Sequence, residues 1–140
     1  MQRRAFISSV VFASSCLGCA GLRRKYSRYA MTLNGLVMVS ALGKTLPHEH
    51  ILVDFIGWEE ATKDRYDENH AFESVLPHLK EIKALGCKTF VDCTPAYLGR
   101  DPILLKRLSD ASGLHIITNT GIYAARDYQH VPDFARTESE

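Results

Sequence analysis

The chain has 140 residues, room for one modest domain, and its 46% hydrophobic and 24% charged content is that of an ordinary globular protein. A formal net charge of +1 leaves no electrostatic footprint for nucleic acid and no acidic tail. The four cysteines form no disulfide framework. Cys16 and Cys19 fall in an apolar N-terminal run, while Cys87 and Cys93 sit in or beside an apolar strand, where free cysteine acts as a small hydrophobe.

Residues 1–30 differ from the rest. Arg3-Arg4-Ala5-Phe6-Ile7 opens a stretch without charge as far as Arg23, the basic and then apolar order of a secretory signal. The paired arginines before Phe6 and Ile7 resemble a twin-arginine export signal, and Gly18-Cys19-Ala20 offers cleavage after Ala20. An exported, periplasmic protein is the expectation. Arg23-Arg24-Lys25 and Arg28 oppose translocation, and a start at Met31 would give a cytoplasmic protein instead.

Leu36 to Val39 reads as a short strand between Gly35 and the turn Ala41-Leu42-Gly43. Lys44 to Val53 is a second extended stretch. Asp54 to Asn69 is polar and mixed, a long loop of the kind that carries function. Phe72, Val75, Leu76, Leu79, Ile82 and Leu85 repeat at helical spacing up to Gly86, with Ser74 as the expected cap and Pro77 in the first turn. Lys88 to Thr94 is a strand. Asp101-Pro102 is an N-cap followed by proline at the first helical position, opening a stripe of Leu104, Leu105, Leu108 and Ala111 closed by Gly113. Leu114 to Thr120 is a third strand of this series, ended by Gly121.

From Lys44 the order is therefore strand, helix, strand, helix, strand, which predicts a parallel α/β sheet. The strand-to-helix links are long, polar and rich in Gly and Pro, as expected where function gathers at the C-terminal strand ends. No glycine-rich phosphate fingerprint follows the first strand, so dinucleotide binding has no support.

His48-Glu49-His50 is the most informative feature. On an extended strand, side chains two residues apart share a face, with Cα atoms roughly 6.5 Å apart. Two such rings can reach one cation at the usual zinc–nitrogen distance of about 2.0–2.1 Å. His70, His78, His115 and His130 are scattered and read as surface or hydrogen-bonded residues.

Four segments in order, Thr45-Leu46-Pro47-His48-Glu49-His50-Ile51, Gly86 to Thr94, Gly99-Arg100-Asp101 and Thr118-Asn119-Thr120-Gly121-Ile122-Tyr123, resemble the phosphotriesterase family of the amidohydrolase superfamily. The resemblance runs from about Leu33 to the end of the chain. It implies a (β/α)₈ TIM barrel carrying two divalent metals at its C-terminal mouth, zinc being the default and manganese, cobalt or iron also suiting the donors. It further implies that His48 and His50 bind the more buried metal, and that a metal-bound hydroxide attacks a small-molecule ester: a lactone, carboxylic ester or phosphotriester. Tyr123 matches the position of an aromatic residue beside the leaving-group pocket. The complete protein is expected to form a homodimer.

A full barrel takes ~250 residues, so residues 31–140 are expected to be its N-terminal portion, with three strands. The family's remaining ligands, a bridging Lys or Glu, two histidines and an aspartate, would lie beyond residue 140, and this portion alone is expected to be inactive. Two other readings stand beside this one. A metal-dependent deoxyribonuclease also begins with His-x-His, although the near-neutral charge disfavours it. A non-catalytic relic or binding fragment would keep the strand pattern without the metal centre.

Overall fold

The structure, a computed structural model, describes residues 28–136. The export signal expected within residues 1–27, with Cys16 and Cys19, lies outside the described residues. The described part opens with a hairpin. Strand β1 (Tyr29–Thr32) runs antiparallel to β2 (Gly35–Met38), with Tyr29 opposite Met38 and Thr32 opposite Gly35. Leu33-Asn34 forms the turn, and the short strand expected at Leu36 to Val39 is the second arm of this hairpin, at Gly35–Met38. Tyr29 and Ala30, assigned by sequence to the leader, stand in β1. The hairpin tip is pinned to the remainder of the fold: the Leu33 N–H donates to the Ile116 carbonyl at 2.9 Å, and Asn34 Nδ2 donates to Ser109 Oγ at 3.0 Å.

Strands β3 (Lys44–Glu49), β4 (Cys87–Asp92) and β5 (His115–Thr118) form a parallel sheet in that spatial order. Helices α1 (Glu68–Ala84) and α2 (Pro102–Ser112) make the crossovers, so the strand–helix alternation is the expected one. β3 ends at Glu49 rather than Val53. Its pairing with β4 shifts register between Leu46 and Glu49, across Pro47, which has no N–H to give to a ladder.

The helices bury one face of the sheet. Leu79 of α1 and Leu104, Leu105 and Leu108 of α2 pack with Cys87, Phe90, Leu114 and Ile116 in a single cluster. Strand alternation sets this: Phe90 and Asp92 turn to the helical side and are buried, while Val91 between them is half-buried on the other face. In α2 the stripe departs from expectation at its end. Ala111 is exposed, and Ser109 and Ser112 are buried in its place. Ser109 is tolerated there because its hydroxyl donates to the Leu114 carbonyl at 2.7 Å and accepts from Asn34.

α1 starts earlier than its apolar spacing indicates. Asp67, not Ser74, is the cap, accepting the His70 N–H at 2.8 Å. Pro77 consequently lies inside the helix rather than in its first turn. The carbonyl it deprives, on Glu73, is on the exposed side, where water can satisfy it, so the helix continues. Leu85, the last residue of the expected stripe, falls beyond the helix and is exposed.

The Asp101 cap of α2 is as expected: its Oδ1 accepts the N–H groups of Ile103 and Leu104 at 2.9 and 3.3 Å, and Gly113 closes the helix in a left-handed conformation. Asp101 is only 4% exposed and also takes the Tyr66 hydroxyl and Lys63 Nζ. Burial pushes its carboxyl upward. The hydrogen bonds from Tyr66, Lys63 and the two backbone N–H groups outweigh that and hold it below the ordinary carboxylate range.

Two stability outcomes are expected. Leu108→Ala, at a side chain with no exposure, should cost about 3 kcal/mol in urea unfolding, and Ala111→Ser at the exposed neighbour less than about 0.5 kcal/mol. Asp101→Ala should cost about 2 kcal/mol at neutral pH. Because the folded state lowers this carboxyl, its contribution is present above the unfolded value of about 3.9 and fades as pH falls below it. The difference between wild type and variant should therefore shrink below about pH 4.

Candidate metal centre

Backbone geometry brings the two histidines together at the C-terminal end of β3. His48 is in the strand and His50 one residue past it, both exposed. Their ring centroids are 5.4 Å apart with planes at 71°. Among the described residues no group of three or more His, Cys, Asp or Glu side chains converges to hold a metal ion. The donor chemistry is compatible with a metal: two adjacent, accessible imidazoles could provide two of the three or four ligands a zinc site needs.

β4 ends beside them. Glu49 pairs with Asp92, and the Cys93 N–H donates to the Glu49 carbonyl at 2.8 Å. Asp92 is 1% exposed; its Oδ1 accepts the Ile51 N–H at 3.1 Å and the Thr94 hydroxyl at 3.0 Å, while Oδ2 has no partner among the described residues. Burial raises the Asp92 carboxyl above its usual range, opposed by the hydrogen bonds from Ile51 and Thr94 and by the charge of His50. Thr94, also 1% exposed, places Oγ1 3.1 Å from His50 Nδ1. Sequence reasoning put Thr94 at a strand end but missed its link to His50. The register shift across Pro47, which spacing does not reveal, sets that alignment.

The third strand end is tied in by short polar side chains. Asn119 Nδ2 donates to the Cys93 carbonyl at 2.5 Å, and its Oδ1 accepts the Gly121 N–H at 2.9 Å. Arg100 Nη1 donates to the Asn119 carbonyl at 2.6 Å. At Gly99 a Cβ would stand 2.7 Å from the Leu52 carbonyl oxygen, and φ is +113°, so only glycine lets the β4–α2 loop approach the segment after His50 this closely. Gly99-Arg100-Asp101 thus has three separate duties: close approach, anchoring β5 and capping α2.

Tyr123 is half-buried beyond β5 and, among the described residues, makes no ring contact with His48 or His50. It packs against Phe55 at 6.0 Å and His130 at 5.7 Å between centroids, and Phe55 and His130 meet at 5.6 Å. His130 corrects an expectation. It is neither at the surface nor hydrogen-bonded: it has no exposure, and both ring nitrogens lack partners among the described residues. The reason is the return of the loop after β5, where the Trp58 N–H donates to the Gln129 carbonyl and carries His130, Val131 and Pro132 into the interior. His70 and His78 are exposed, as expected.

A cavity of about 280 Å³ opens between the β3–α1 and β4–α2 loops, lined by Asp54, Lys63, Arg65, Tyr66, Tyr97 and Arg100 among others. Four of its charges pair off, Lys63 with Asp101 at 3.2 Å and Arg65 with Asp54 at 2.5 Å, while Arg100 turns to the Asn119 carbonyl; neither His48 nor His50 lines it.

Comparison with known proteins converges on one family. The phosphotriesterase family model matches residues 29–139, beginning at the first residue of β1. The aryldialkylphosphatase of Saccharolobus solfataricus is 33% identical over 59% of this chain and 26% of its own length. The human N-acetyltaurine hydrolase is 29% identical over 66% of this chain and 34% of its own length. Among solved structures, the organophosphorus hydrolase from Deinococcus radiodurans superposes with a TM-score of 0.63 at 36% identity, covering 69% of this chain and 29% of that one. The chain thus spans about a third or less of these relatives, and its βαβαβ sheet is part of their TIM barrel. With the family model, the relatives and the superposed barrel in agreement, the chain belongs to the phosphotriesterase family.

Proposed function

We propose that this chain supplies the first metal-binding strand of a metal-dependent hydrolase, with His48 and His50 as ligands to the more buried of two divalent ions, zinc by default. The observation that carries this is the convergence of the two rings at the C-terminal end of the first strand of the parallel sheet, beside a β4 end that grips His50. The relatives include an aryldialkylphosphatase and an N-acetyltaurine hydrolase; what they have in common is hydrolysis. For the complete protein the reading is hydrolysis of a small-molecule ester, whether lactone, carboxylic ester or phosphotriester.

A divalent ion held there would supply an activated water and polarise the oxygen under attack. The chain's own residues do the rest of what can be assigned. His48 and His50 present nitrogen donors on an accessible surface, and Thr94 holds the His50 ring. The Tyr123 ring, kept in place by Phe55 and His130, offers an aromatic wall for the leaving group.

Calorimetric titration of the full chain with Zn²⁺ tests the ligand assignment. Two imidazoles should hold at most one zinc, and weakly, with His48→Ala and His50→Ala each lowering affinity at least about tenfold. Zinc uptake indifferent to both substitutions would contradict it, as would two tightly held equivalents surviving in the double variant.

A further inference from the structure

We propose that Thr94 is a positioning residue that keeps the proton of His50 on Nδ1 and so leaves Nε2 bare as the donor atom, the direction of the bond being dictated by Asp92. The inference rests on His50 acting as a ligand, but its structural half stands without any metal.

The argument follows the protons. The Ile51 backbone N–H can only donate, and it points at Asp92 Oδ1 from 3.1 Å, so that oxygen is an acceptor. Thr94 Oγ1 lies 3.0 Å from the same oxygen. A hydroxyl has one proton, and giving it to Asp92 leaves the Thr94 oxygen able only to accept. His50 Nδ1, 3.1 Å from that oxygen, must then be the donor. A neutral imidazole has one N–H, so Nε2 keeps its lone pair. The direction holds for the ionised carboxylate, whose oxygens can only accept and whose Oδ1 faces both the Ile51 N–H and the Thr94 hydroxyl.

Burial makes the chain of bonds stiff. Asp92 and Thr94 are both 1% exposed, so the bond between them is shielded from water, and both groups come from the end of one strand. Among the described residues no side-chain hydrogen bond holds His48 in this way, so the two histidines should differ although they are two residues apart. His48 is therefore an internal control.

Long-range ¹⁵N–¹H spectra of the imidazoles in the metal-free full chain at about pH 8 read the proton's position directly. The expected result is His50 protonated at Nδ1 and His48 in the usual mixture weighted to Nε2–H. Thr94→Ser should preserve the His50 pattern. Thr94→Val, with dispersed α2 amides confirming its fold, should shift His50 to the His48 pattern and weaken Zn²⁺ binding by about 10–100-fold. Wild-type His50 protonated at Nε2 would overturn the proposal, as would an Nδ1 proton that persists in Thr94→Val. If Thr94→Val does not fold, the wild-type tautomer and its retention in Thr94→Ser decide the matter. A chain that takes up no zinc yet shows the Nδ1 proton would refute the ligand reading and leave the positioning role standing.

Discussion

The carboxylate of Asp92 is the tie on which the arrangement of the candidate centre depends. β3 loses regular pairing across Pro47, where the register shifts and one backbone donor is missing. A strand end freed in this way would let His48 and His50 wander. Asp92 prevents it by taking the Ile51 N–H immediately after the histidines, while the Glu49 carbonyl takes the Cys93 N–H immediately after Asp92. The two strand ends are thus stitched on both sides of His50. Burying a carboxylate whose Oδ2 has no partner among the described residues is costly, and it falls where the carboxylate orders the strand end of the candidate centre.

Everything beneath this tie serves to place Asp92. Phe90, two residues earlier on the same face, is held in the cluster with Leu104 and Leu108, so the pleat of β4 leaves Asp92 no choice of side. The helices close the cluster from one face only. The β4–α2 loop then fastens the next strand end through Arg100 and Asn119. The division matches the parallel α/β architecture of the family: packing on the helical side, and short polar side chains at the C-terminal strand ends, where chemistry is placed.

Much of this was legible in the sequence, because the signals were local. Asp101-Pro102 and Gly113 bracketed α2 correctly, since capping depends on residues within one turn. The His-x-His spacing foretold two rings on one side of an extended strand, and the rings do lie together. The failures share a different cause. Pro77 read as a helix start because its fit inside α1 depends on Glu73 facing solvent, a tertiary fact. Ala111 and Ser109 exchanged places because Asn34, 75 residues away from Ser109, satisfies the serine. The burial of His130 needed the loop after β5 to reach Phe55, and the Thr94–His50 contact needed the shift across Pro47. Each required two distant segments at once.

The most direct test of the Asp92 tie is amide hydrogen exchange at Ile51 in the full chain, compared with Asp92→Ala. The account predicts that the Ile51 amide, though it lies outside any strand, is protected as well as the β3–β4 ladder amides. In Asp92→Ala it should exchange as a loop residue does, while α2 stays protected. A fast Ile51 amide in the wild type, or one unchanged by the substitution, would contradict the account.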